Sequence, residues 1–351
     1  MTRLHLLCIS VLFFVVSQAC VAESSHSVFS PIPKLIDATP TLLPEQDNTR
    51  YVADIETTKA ASWIDRQQYR MRGWVDQRAN QVDDWFGQPH PEQPASATLR
   101  VLLDQRWDKH DQHDADLRLR GKIKLPTLEK KLSVVFGDDS LDDELNNNVA
   151  ITDERTDYGD PYLSRGKVRE TNSSIALRWS TFTQSLPFDS DLDLGIRSGD
   201  DVYARFKLTK DWQLKDDFSL HAEQIYRYGI DSKNYLRSNL ELNHQRPQQA
   251  LFSNQFSIIW SDEQHDDLIW QNFTFRQHQF FYGNRFNYGI YTSGFYEDQN
   301  LRLNSWGPFV SWRQPLWREW FYVQTDLNYL NEHREDRRHY LGVLLRLETL
   351  F

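Results

Sequence analysis

The sequence predicts an all-β protein: an antiparallel transmembrane β-barrel of about fourteen strands (range roughly 12–16), preceded by an amphipathic helix. Three observations carry this. From Ala97 to Phe351 apolar residues recur at alternate positions, the period of a strand with one apolar face. No internal run of about 18 apolar residues exists, which removes a membrane-spanning helix. Mean hydropathy is -0.67, yet 13% of the 351 residues are aromatic (12 Trp, 15 Tyr, 20 Phe). A barrel reconciles the last two, because only every second strand residue faces lipid while lumen and loops stay polar, and aromatics gather at the two interfaces. The competing class is a secreted soluble β-protein.

Residues 1–22 have the form of a secretory leader: Arg3, the apolar block Leu6 to Val16, then small residues ending at Ala22, where cleavage is expected. A lipoprotein reading of Cys20 is weakened by Ser17, which stands where such a motif usually has Leu. Both cysteines, Cys8 and Cys20, lie in this leader, so the exported chain is expected to use neither disulfides nor thiolate chemistry. The net charge of -10 argues against nucleic acid as a partner, which needs a positive footprint. Residues 23–47 are Pro- and Ser-bearing and read as a flexible periplasmic lead-in.

Residues 48–96 form the helical segment and its linker. Trp63, Trp74 and Trp85 are eleven residues apart, and at about 100° per residue they share one helix face. Ile64, Met71, Val75, Val82 and Phe86 widen the stripe, and Gly87 with Pro89 stops it. Three readings of the stripe stay open. It lies on the inner leaflet, it enters or caps the barrel mouth, or it packs on the barrel rim or on a second copy. A periplasmic partner bound through these tryptophans belongs to the same set of expectations.

The barrel is assigned to residues 97–351. Its clearest strand is Asp116 to Leu125, where Leu117, Leu119, Ile123 and Leu125 oppose Arg118, Arg120, Lys122 and Lys124. An even strand count returns both ends to the same side. With the first strand running outward, Pro126, Pro187, Pro247 and Pro315 mark periplasmic connections, and the acidic 137–170 segment is an outer loop. The last strand, Arg338 to Phe351, alternates Leu341, Val343, Leu345 and Leu347 with Gly342, Leu344, Arg346 and Glu348.

Ending on Phe351 in the apolar row, that strand resembles the terminal strand of Gram-negative outer-membrane β-barrel proteins. The likeness covers about Ala97 to Phe351 plus the leader. It implies an outer-membrane location, contact with outer-membrane lipids and lipopolysaccharide, and Phe351 as the signal read by the barrel-assembly machinery. Asp84-Trp85-Phe86-Gly87 and Arg118-Leu119-Arg120-Gly121-Lys122-Ile123-Lys124-Leu125-Pro126 are similar to an uncharacterised proteobacterial family of such proteins, which implies no activity. A monomer is expected.

For chemistry, the inner face is expected to carry Arg100, Arg106, Arg118, Arg120, Lys122, Lys124, Arg205 and Lys207, a basic lining that favours anions in a passive channel for small polar or anionic solutes. The alternative is a salt-bridge network that stiffens a non-conducting structural barrel, because unpaired charges in a dry lumen are costly. The carboxylates of 137–170 lack the spacing of an EF-hand, and the structural reading is a solvated loop. His110, Asp111, His113 and Asp114 form too sparse a donor set to predict a metal. A lipid hydrolase would use Ser219 and His221, with His221 and His244 the strand histidines expected inside. No G-x-S-x-G or H-E-x-x-H sequence occurs, so no catalytic residue and no cofactor is assigned.

Overall fold

The computed structural model describes residues 63–84, 95–109, 112–125, 132–137, 174–180, 188–197, 200–214, 217–246, 249–262, 268–281, 283–297, 300–333 and 336–351. The expected leader and lead-in, the start of the helix, Trp85, Phe86 and its Gly-Pro stop lie outside these residues. So do His110, Asp111, residues 138–173 and Pro126, Pro187 and Pro247.

Among the described residues one helix, α1 (Trp63–Asp84), precedes fourteen strands. These are β1 (Ser96–Asp108), β2 (Gln112–Lys124), β3 (Leu132–Phe136), β4 (Ile175–Ser180), β5 (Asp189–Arg197), β6 (Asp201–Gln213) and β7 (Phe218–Gly229). They continue with β8 (Lys233–His244), β9 (Leu251–Ser261), β10 (Leu268–His278), β11 (Arg285–Glu297), β12 (Asn300–Leu316), β13 (Arg318–Glu332) and β14 (Arg337–Leu350). Each strand pairs antiparallel with its sequence neighbours, and β14 closes the ring on β1. Closure leaves no open sheet edge, so the strand backbone groups pair around the ring. No described helix is long and apolar enough to cross a membrane, a fact that bears on helices alone.

The pleat sends alternate side chains to opposite faces. On β1, Arg100, Leu102, Asp104 and Asp108 are buried inward while Trp107 is exposed on the outside. The register carries this parity to β2, where Arg118 and Arg120 are buried and Leu117 and Leu119 exposed. Leu125, one residue beyond β2, is buried rather than outward as its row would suggest. Pro315 lies within β12 at a register irregularity instead of in a turn. The turn itself is Trp317, held at φ 64° and 77% exposed.

The outer surface is banded. Its middle is aliphatic, with Leu177, Leu194, Leu240, Ile290, Leu327 and Leu345 all exposed. Aromatic belts flank it: Trp107, Tyr226, Tyr228, Trp306 and Tyr329 toward one end, and Trp179, Phe252, Phe280, Trp312 and Trp317 toward the end where α1 sits. Exposed apolar bands of this extent need cover from an apolar medium, and paired aromatic belts match the two interfaces of a bilayer. The polar residues on the middle of β9 and β10 satisfy one another. Asn254 Nδ2 donates to Thr274 Oγ1 (2.7 Å) and Asn272 Oδ1 (3.2 Å), and Asn272 Nδ2 returns a bond to Asn254 Oδ1 (3.2 Å).

Candidate functional site

The inner wall is the first candidate. By register, Arg100, Arg106, Arg118, Arg120, Lys122, Lys124, Arg205 and Lys207 all lie on inward rows. Eleven cations on these rows are buried among the described residues, against eight carboxylates. The closest ion pairs run laterally, to the next strand or the one beyond. Asp104 is the densest node: Arg346 donates to it through Nε (2.7 Å) and Nη2 (2.9 Å), Arg118 also donates, and Arg106 stands 3.8 Å away. Asp193 is gripped by Arg178 (2.9 Å) and Arg205 (Nε, 2.9 Å). Glu223 takes Lys207 (2.9 Å), and Glu348 takes Arg313 (2.8 Å) and Arg100 (3.1 Å).

Among the described residues four rungs place like charges face to face: Arg100 with Arg120, Asp104 with Asp116, Arg205 with Arg227 and Arg285 with Arg313. Such pairs are unfavourable, and the arginines of β1, β6 and β7 each have another close neighbour to offset the repulsion. Arg100 takes Glu348, Arg205 takes Asp193, and Arg227 lies over the Tyr235 ring at 4.7 Å. Guanidiniums suit this role because they combine charge, a fork of donors and a face that stacks.

The opposite sector differs, and the sequence reading had not separated it. β9 contains no charged residue, and the charge on β10, Arg276, points outward. Inward on β10 to β14 stand Phe273, Phe275, Tyr291, Phe309, Leu330 and Tyr340, a buried cluster with Phe273 and Tyr291 4.7 Å apart. The missed signal was available: a strand of alternating pattern with no charge at all is a neutral strip of wall. The interior is thus two-sided, mainly ionic on β14 and β1 to β8 and mainly neutral to aromatic on β9 to β12, where Arg285 and Arg313 form a charged rung near the end that carries α1.

The second candidate is α1. Gln68, Val75, Ala79 and Asp83 are buried on one side, while Trp63 (67%) and Trp74 (50%) stay exposed with Ile64 and Met71. The tryptophan stripe is therefore not the surface that meets the barrel rim. Docking uses the other side: Asp65 holds Arg318 in a two-point ion pair (2.6 and 2.8 Å), and Gln68 Nε2 donates to the Leu350 carbonyl (3.3 Å). Asp76 accepts from the Ala97 amide. Burial pushes the Asp76 carboxyl above its ordinary value, against the pull of Arg72 and that amide. Arg318, Leu350 and Ala97 belong to β13, β14 and β1, so the helix lies along the rim across the seam where the ring closes.

The remaining expectations fare differently. Ser219 and His221 share the inner row of β7, but His221 Nδ1 pairs with Asp211 Oδ1 (2.6 Å), and among the described residues no hydrogen bond joins it to Ser219. His244 faces outward, contrary to expectation. It shares the row of Leu240 and Leu242 and stacks on Phe218 at 4.3 Å. His113 and Asp114 fall on opposite faces of β2.

Comparison with known proteins adds the following. No family model matches the sequence, and no curated protein matches it. Among solved structures, OmpT, an outer membrane protein of Vibrio cholerae, is 8% identical with a TM-score of 0.44, covering 73% of this chain and 97% of that one. Salmonella typhi OmpF in complex with daunomycin is 9% identical (TM-score 0.42; 73% and 97%), and Pseudomonas putida OprB is 9% identical (TM-score 0.41; 73% and 92%). Likenesses this distant carry no information about cargo or chemistry.

Proposed function

We propose that the chain is a barrel of the Gram-negative outer membrane that passes small anionic solutes through a polar lumen. The observation that supports this reading is the excess of buried inward cations over carboxylates, concentrated on one side of the wall. A water-filled path beside such a wall holds a positive potential and enriches anions. Purified protein in a planar bilayer under a KCl gradient is expected to give discrete steps with a reversal potential displaced toward chloride. Arg205→Glu combined with Lys207→Glu is expected to reduce that displacement. Absence of conductance above background in the unmodified protein overturns the proposal.

The second reading, a non-conducting structural barrel, draws support from the aromatic cluster on the neutral wall and from the lateral closure of the ion pairs. Removing residues 48–87 separates a plug from an arm. Because α1 lies along the rim, its removal is expected to leave conductance unchanged; a rise would mean that it obstructs the mouth.

A further inference from the structure

The charges of α1 are sorted by side in a way that its docking explains only in part. The carboxylates Asp65, Asp76 and Asp83 lie on the buried side, where the first two hold Arg318 and the Ala97 amide. Exposed Arg66, Arg70 and Arg78 instead flank the exposed tryptophans, and the Arg78 guanidinium sits over the Trp74 ring at 5.5 Å. At about 100° per residue, the centre of the docked side and the tryptophan stripe are roughly 140° apart. The helix therefore offers the rim a mainly acidic face, where Arg72 is set against Asp76, and presents an aromatic, cationic one away from it.

The geometry points to that second face as a binding surface for the phospholipid headgroups of the leaflet bordering the rim. Tryptophan and arginine side by side suit this layer: the indole takes the boundary between acyl chain and headgroup, and the guanidinium forks onto phosphate oxygens. The occupant is inferred from charge, since phosphate is the anion such a face meets along a bilayer, and from continuity. The helix rests beside the aromatic belt of the same end, where Trp317 and Phe321 stack at 6.3 Å. A water-facing helix gains nothing from exposed Trp63, Ile64, Met71 and Trp74. This inference rests on the membrane-spanning reading of the barrel.

The test uses the full chain with Cys8→Ser and Cys20→Ser, refolded into vesicles of phosphatidylethanolamine and phosphatidylglycerol, with one nitroxide per variant. Met71→Cys places the label on the stripe and leaves both tryptophans intact. Gly73→Cys places it roughly 160° away round the helix, where an added Cβ meets nothing within 4 Å. Leu194→Cys reports the aliphatic middle of the barrel's outer surface, and a gel-mobility shift on heating certifies the folded ring. The ratio of oxygen to nickel-chelate accessibility is expected to be several-fold higher at 71 than at 73, and to fall when Trp63→Ala and Trp74→Ala are added. Equal, water-like ratios at 71 and 73 overturn the inference. A label at 71 shielded from both reagents overturns it too, because it marks a protein neighbour instead of lipid. Either result with a lipid-like ratio at 194 leaves the barrel reading intact; a water-like ratio at 194 removes that reading first.

Discussion

Replacing Asp104 with Ala is expected to destabilise the folded ring by about 3–5 kcal/mol, the scale for removing one partner of a buried ion pair. The carboxylate is 1% exposed and bonds to Arg346 on β14 and Arg118 on β2, with Arg106 close by. Its removal leaves Arg346 and Arg118, both buried, repelling each other without their shared counter-charge. Asp104→Asn keeps the shape and some hydrogen bonding but not the charge, and is expected to recover only a minor part. Urea titration of the folded barrel, followed by tryptophan fluorescence, measures both. A loss below about 1 kcal/mol would mean that water reaches the node and screens it, as for an exposed pair.

Leu194→Arg is the second large expectation. Leu194 is 55% exposed at mid-length of β5, flanked on neighbouring strands by Leu177 and Ala204. A guanidinium there costs about 2–4 kcal/mol if the band faces hydrocarbon at the bilayer centre. The same change on a water-exposed surface stays within about 0.5 kcal/mol. Folding yield and urea midpoint in lipid vesicles separate the two, and a neutral outcome would remove the membrane reading along with the anion passage.

Much of the ring was legible because most of its strands carry their charges on one side. β2 announces itself through Arg118, Arg120, Lys122 and Lys124 set against leucines, and fourteen strands follow once that period is traced to Phe351. Legibility fails where the alternation is blurred. Asn254, Asn272 and Thr274 face outward against the rule, tolerated because they bond to one another across β9 and β10, a cross-strand fact invisible in either segment alone. The helix shows the same limit. Its period placed the tryptophans on one side, but which side docks depends on Gln68 meeting Leu350, 282 residues away, and Asp65 meeting Arg318, 253 away. A large aromatic stripe invites the assumption that it is the buried one; here the small and polar side, with Ala79 and Gln68, approaches the rim.

The placement of α1 also fixes an order of events. Its receptor is composite: an amide from the first strand, a carbonyl from the last and a guanidinium from the thirteenth. The carbonyl and the guanidinium meet when β13 pairs with β14, but the amide of β1 joins them only when the ring has shut, so the full receptor for the segment made earliest among the described elements exists only once the latest is in position. Docking of the arm is then a latch thrown after closure, and its arrival times the completion of the cylinder.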